Sequence, residues 1–258
     1  MKARTLVLCL VTVSLILSAC AGKPTPDVAA TFTAQTMTPE SLNQSASTPT
    51  MTATENPYLL YDEFDDPNSG WSTFGDTSSG EVGYANGSFR LAFYQAGYFN
   101  SSYSVGTYTD FIVETRVCTS ATTPGIGAGL TLRASDYNWY LFWVYPVSRE
   151  YSFSKGFSNP QTGFYQETSL LPRTASDVIQ PFNSGGMLCL FIKAAAHGDA
   201  FDFWVAGEDN VYQYLASARD AEWADGHLGP SADAPKSDFS PAPVEALFDW
   251  IKVYPYSD

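Results

Sequence analysis

Asn138-Trp139-Tyr140-Leu141-Phe142-Trp143-Val144-Tyr145 is the stretch on which the fold class turns. Successive side chains of a strand point to opposite faces. One set here is Tyr140, Phe142 and Val144; the other is Trp139, Leu141, Trp143 and Tyr145. Working outward, the same period of two runs through 89–94, 111–117, 130–133, 188–193, 200–205 and 246–254, and the strand at 139 extends to Val147. Turn signals separate these runs: Asn86-Gly87, Pro124-Gly125, Asn159-Pro160, Gly185-Gly186, His197-Gly198-Asp199 and Gly207-Glu208-Asp209-Asn210. Many short strands with turns between them, and no long 3.6-residue pattern, predict an all-β sandwich or barrel. Only 174–180 and 218–224 read as helical turns.

The composition agrees. Of 258 residues, 45% are hydrophobic and 15% aromatic, enough to bury a core and to favour strands. Thirteen Lys and Arg against 27 Asp and Glu give a net charge of −14. The basic residues are scattered singly, so neither nucleic acid nor an anionic lipid surface is an expected partner.

The chain begins with Lys2 and Arg4, then an apolar run from Thr5 to Leu17, and then Leu17-Ser18-Ala19-Cys20. Thirteen residues fall short of the roughly 20 needed to span a bilayer and fit a signal peptide. The four-residue motif resembles the lipobox of bacterial lipoproteins. That resemblance implies a signal peptide over 1–19, cleavage before Cys20, and acyl chains on Cys20 that hold the protein to a lipid bilayer, extracytoplasmically, at the cell surface or outer membrane. Cleavage removes Lys2 and Arg4 and takes the net charge from −14 to −16. Residues 20–57 are rich in Thr, Ser, Ala and Pro, have Phe32 as their one aromatic, and read as a solvated tether reaching on the order of 30 to 35 Å. Residues 58–258 read as one domain.

Within that domain, Phe64-Asp65-Asp66-Pro67-Asn68-Ser69-Gly70-Trp71, Gly83-Tyr84-Ala85-Asn86-Gly87-Ser88-Phe89-Arg90-Leu91 and Ser135-Asp136-Tyr137-Asn138-Trp139-Tyr140-Leu141-Phe142 come in order. Gly198-Asp199, Gly207-Glu208 and Leu247-Phe248-Asp249-Trp250-Ile251-Lys252-Val253-Tyr254 follow. This is similar to concanavalin A-like (laminin G-like) domains of bacterial exported proteins. The resemblance implies a two-sheet antiparallel jelly-roll sandwich. The superfamily contains lectin-like modules, carbohydrate-binding modules and glycoside hydrolases, so its implication for activity is broad. The Glu-x-Asp-x-x-Glu run of its glucanase branch does not occur here, and 160–183 matches poorly.

Other chemistry is weakly supported. Glu63 and Asp65 would share a strand face at roughly 6.5 to 7 Å, within range for paired carboxylates. They stand at the start of the domain beside a turn and read as structural. There is no Gly-x-Ser-x-Gly elbow, and His197 and His227 sit beside Gly in turns. No Cys-x-x-Cys pair suggests zinc. The resemblance implies that a structural calcium between the first and last strands would draw on Asp62, Glu63 and Asp249. Cys118 and Cys189 fall in matching phase opposite the apolar positions; an oxidising compartment permits a disulfide between them and the phase does not require one.

The resemblance turns Tyr140, Phe142 and Val144 inward, together with Phe201, Phe203, Val205, Leu130 and Leu132. Trp139, Leu141, Trp143, Tyr145, Asp202, Trp204, Thr131 and Arg133 are left outward. Outward rings beside charged groups suit a sugar, because flat rings stack on pyranose C–H faces and polar groups bond its hydroxyls. Otherwise loops such as 160–183 or 219–238 cover the rings and make a second small core. The expectation is a non-catalytic module binding a polysaccharide or other glycan on its concave face through Arg133, Trp143, Tyr145, Asp202 and Trp204. The alternatives are a structural or protein-interaction domain of the cell envelope, or a glycoside hydrolase whose carboxylates the sequence does not identify.

Overall fold

The computed structural model describes residues 56–257 apart from 77, 105, 163, 238, 240 and 241. The expected signal peptide over 1–19, Cys20 and nearly all of the Thr/Ser/Pro-rich segment lie outside the described residues. Sixteen strands are described: β1 (Leu60–Asp62), β2 (Phe74–Asp76), β3 (Gly80–Tyr84), β4 (Phe89–Phe93), β5 (Phe99–Ser101), β6 (Phe111–Ser120), β7 (Gly127–Ala134) and β8 (Asn138–Tyr145). After these come β9 (Glu150–Ser158), β10 (Tyr165–Ala175), β11 (Phe182–Ser184), β12 (Met187–His197), β13 (Ala200–Ala206), β14 (Gln213–Arg219), β15 (His227–Asp233) and β16 (Val244–Pro255).

They form two antiparallel sheets, a sandwich as the alternation allows and the jelly roll that the family resemblance implies. The larger runs β14-β13-β12-β6-β16-β4-β3-β2, with β1 added beside β16 and β11 beside β12. The smaller runs β10-β9-β8-β7-β15-β5. Among the described residues there is no helix. The segments 174–180 and 218–224, expected as helical turns, instead end strands β10 and β14 and continue as turns and bends. The segment 160–183, which the family resemblance left unplaced, supplies β10 and the start of β11.

Local chemistry accounts for the hairpins. Asn86 (φ 53°) and Gly87 (φ 74°) both take left-handed φ. Ala85 and Ser88 exchange their N–H···O bonds across them. A two-residue turn of this kind matches the strand twist and favours Asn-Gly. Gly185 and Gly186 do the same between β11 and β12.

Rings from facing sheets interlock in the core. Phe142 of β8 stacks on Phe203 of β13 at 4.1 Å, and Tyr140 meets Phe201 at 4.7 Å. Phe153 of β9 lies 4.8 Å from Phe203. At the other end Phe64, Trp71 and Phe89 pack together. Of these, Tyr140, Phe142, Phe201 and Phe203 are inward positions that the family resemblance implies.

Cys118 of β6 and Cys189 of β12 are directly opposed in the ladder and bonded to each other. The bond ties positions 71 residues apart, and a loop of that length restricts the unfolded chain considerably. Cys118→Ser/Cys189→Ser is expected to lower stability by about 2 to 4 kcal/mol, read as an earlier urea midpoint by circular dichroism. An unchanged midpoint would mean that the bond leaves the unfolded ensemble unrestricted.

Candidate functional site

The five residues expected to bind a glycan occupy three separate places. Trp143 and Tyr145 lie on the face of the smaller sheet turned away from the core. Asp202 and Trp204 lie on the outer face of the larger sheet. Arg133 is enclosed at one end of the sandwich.

Arg133 is fully buried. The expectation that it faces outward fails because of a bulge. Thr131 pairs with Gly229 and Ala134 with His227, so Leu132 and Arg133 together oppose Leu228. The extra residue shifts the phase by one, and Arg133 takes a left-handed φ of 46°. Its guanidinium donates to Thr109 O at 2.7 Å, Gly198 O at 2.8 Å and Trp223 O at 3.3 Å. It also lies 5.0 Å over the Phe201 ring and 3.6 Å from Asp110. Arg133 therefore pins three loops and has no free donor face to offer a sugar.

The face carrying Trp143 and Tyr145 is covered by the edges of its own sheet. β5 and β10 are the two edges, yet the Phe99 ring of β5 lies 5.8 Å from the Tyr165 ring of β10. The sheet is therefore curled, and this face is its concave side. Tyr165 stacks on Trp139 at an interplanar angle of 13°, and Arg173 caps the Tyr145 ring at 3.7 Å. Trp139, Trp143 and Tyr145 retain 7%, 4% and 4% exposure and form a second small core with Leu141 and Ala134. Glycines on neighbouring strands let these rings lie flat. A Cβ at Gly127 would come within 2.6 Å of the Tyr145 ring, and one at Gly156 within 2.6 Å of the Trp139 indole.

Polar groups are enclosed with the rings. Trp143 Nε1 donates to Ser231 Oγ at 3.0 Å, and Tyr145 Oη to Asp233 at 3.1 Å. Burial, with Glu167 adding to it, pushes the Asp233 carboxyl up against the opposing Lys236 and Tyr145. Burial and then Asp233 push the Tyr145 phenol up, so it stays a donor. Tyr165 donates to Glu167 at 2.9 Å. Asp233 is 3% exposed, and Glu167 is near enough to add to the rise of its carboxyl.

The outer face of the larger sheet differs. Strand register aligns Tyr214, Trp204, Lys193, Glu114, Lys252 and Tyr61 in one row across six strands. Lys193 lies 5.5 Å over the Trp204 ring, and Lys252 4.6 Å over Trp250 and 5.2 Å over Tyr61. Tyr61 and Tyr214 are exposed, and Trp204 and Trp250 half-buried. Tyr214 Oη donates to Asp202 at 3.3 Å. Of the expected ligand contacts, only Asp202 and Trp204 stand on accessible surface. Their partners Lys193, Glu114 and Tyr214 were missed by sequence reasoning, although Glu114 and Lys193 stand at outward positions of their own strands.

The carboxylates expected to hold calcium are engaged elsewhere. Asp62 accepts the Phe64 N–H at 2.6 Å and the Trp71 indole N–H at 2.7 Å. Glu63 accepts from Tyr61 Oη, and Asp249 from Arg116 and Ser88. Among the described residues, no three His, Cys, Asp or Glu side chains are grouped to hold a metal. A calcium ion at this place would have to compete with these donors.

The architecture is that of a jelly-roll β-sandwich, and solved structures share it. No family model matches the sequence, and no curated protein matches it. The GH43 BlXynB protein from Bacillus licheniformis superposes with a TM-score of 0.51 at 18% identity, over 76% of this chain and 39% of that one. The chain therefore spans about two fifths of that protein. The carbohydrate-binding module CBM66 from Bacillus subtilis gives 0.50 at 18% identity, over 72% of this chain and 96% of that one. A Bacillus licheniformis β-glucanase gives 0.50 at 14% identity, over 76% and 98%. At such identities the likeness is one of fold.

Two outcomes follow from the buried groups. Arg133→Met leaves three loop carbonyls without their donor and is expected to cost about 3 kcal/mol or more; a denaturant midpoint close to wild type would show that the loops hold without it. For Asp233 the folded-state pKa is raised, so the folded protein holds that proton more tightly than the unfolded chain does. The ionised form costs stability above the folded value, and the cost vanishes below the ordinary carboxylate range. Asp233→Asn should therefore raise the melting temperature at about pH 7 and leave it nearly unchanged at about pH 3. Destabilisation at about pH 7 with none at about pH 3 would show that the Tyr145 and Lys236 contacts to the ionised carboxylate outweigh the burial.

Proposed function

We propose that this protein is an extracytoplasmic lipoprotein that binds carbohydrate without cleaving it, tethered to the membrane through acylated Cys20. The leader and the Leu-Ser-Ala-Cys motif support the anchor, and the Thr/Ser/Pro-rich segment supports a tether. The fold it shares with a carbohydrate-binding module and with glycoside hydrolases supports a saccharide ligand. The observation that carries the reading is the outer face of the larger sheet, where Trp204, Tyr214, Trp250 and Tyr61 are interleaved with Lys193, Lys252 and Glu114 on accessible surface. Aromatic groups of this extent are uncommon on a monomer's surface unless they meet something. Rings of this kind stack on pyranose C–H faces while the charged groups bond hydroxyls. The closed concave face supports a module that holds its ligand rather than one that processes it in a cleft.

Glycan-array binding of the full-length protein in detergent, beside a Trp204→Ala/Tyr214→Ala variant of matched melting temperature, tests this. Binding by the parent and its loss in the variant are expected. A blank array would overturn the carbohydrate reading and leave the envelope-scaffold alternative. For the anchor, Cys20→Ala is expected to abolish incorporation of labelled palmitate and to release the protein from membranes; continued labelling would refute acylation at that residue.

A further inference from the structure

Resting on the carbohydrate reading, we infer that the binding subsite is a depression beside Tyr254 on the outer face of the larger sheet, and that it takes a neutral pyranose residue presenting two adjacent hydroxyls. The depression holds about 450 Å³ and is bounded by Pro57, Ile112, Glu114, Lys193, Tyr254 and Pro255. Register brings its lining together: Ile112 of β6 pairs with Tyr254 of β16, and Glu114 of β6 with Lys193 of β12 on the neighbouring row. The volume falls within the usual range for small-ligand sites.

Its polar groups are of both kinds. Lys193 Nζ lies 3.4 Å from Glu114 Oε1, and Tyr254 Oη donates to Glu114 Oε2 at 3.3 Å. Both contacts are long for charge-assisted bonds, so the ammonium, the carboxylate and the phenol all retain capacity. Burial and then Glu114 push the Tyr254 phenol up, so it remains a donor at neutral pH. The Tyr212 ring lies 5.5 Å from the Lys193 ammonium, and its hydroxyl is buried out of reach of a ligand in the depression.

A sugar hydroxyl both donates and accepts, so two adjacent ones can satisfy a Lys–Glu pair together: one accepts from Lys193, the other donates to Glu114. The apolar walls, Tyr254 and Pro57, then meet the C–H face of the ring. A uronic acid fits less well, because its carboxylate would be placed beside Glu114 in a protein of net charge −14.

The experiment is saturation-transfer NMR and calorimetric titration of the full-length protein. The probes are cellotetraose, xylotetraose, laminaritetraose and mannotetraose, with trigalacturonate as the acidic comparison. Lys193→Met is expected to weaken binding of a neutral tetraose about tenfold or more. Tyr254→Phe, which removes one hydroxyl and keeps the ring, is expected to weaken it several-fold at an unchanged melting temperature. Trp143→Phe, on the closed concave face, should leave it unchanged. Neutral binding that survives Lys193→Met and Tyr254→Phe but falls with Trp143→Phe would overturn the subsite and keep the carbohydrate reading. Binding of trigalacturonate alone would overturn the neutral-pyranose assignment. No binding of any probe, together with a blank glycan array, would overturn both.

Discussion

Strand β8 carries large rings on both faces, and the rest of the sandwich is arranged around burying both. Tyr140 and Phe142 go into the interface with the larger sheet, against Phe201 and Phe203. That disposes of one face. The other still holds Trp139, Leu141, Trp143 and Tyr145, and leaving so much apolar surface in water is costly at roughly 25 cal/mol per Å². Here the smaller sheet curls until its outermost strands approach and Phe99 meets Tyr165. The curl needs small neighbours. Gly127 and Gly129 on β7, and Ser152, Ser154 and Gly156 on β9, flank the aromatic strand and give its rings room to lie down.

Much of this was legible locally. Period-two alternation separated Tyr140, Phe142 and Val144 from Trp139 and Trp143, and Phe201, Phe203 and Val205 from Asp202 and Trp204; the family resemblance said which set faces the core. The turn residues marked the hairpins at 86–87 and 185–186. What escaped depends on long-range arrangement or on a break in phase. The bulge at Leu132–Arg133 exists only because β15 pairs with β7 out of step, and no property of residues 130–133 announces that. β10 is an exposed edge strand, polar over Gln166–Ser169, so it has no apolar alternation to detect. The covering of Trp143 by Phe99 and Tyr165 follows from which strands are edges and how far the sheet bends. The glycines beside β8 were the available signal.

Arg133 and Asp233 illustrate two ways of enclosing a charge. Arg133 gives its donors to backbone carbonyls of three loops and has Asp110 nearby, so its burial is largely compensated. Removing such a partner costs more than the pair itself contributes. Asp233 is less well served. It has one phenol and an exposed lysine, with the like charge of Glu167 close by, and the carboxyl responds by holding its proton more firmly.

Filling the concave side with the protein's own rings has a consequence for the opposite sheet. A sandwich has two outer faces, and once one is committed to the fold, recognition by a sheet surface has only the other to use. That face is flat enough to be read row by row, and its rows alternate rings with paired charges. Lys193 and Lys252 are each held over aromatic rings, which limits the rotamer entropy they would otherwise lose on meeting a ligand. The two sheets thus dispose of their outer rings differently: Phe99–Tyr165 closure covers those of the smaller sheet, while Tyr61 and Tyr214 on the larger stay exposed.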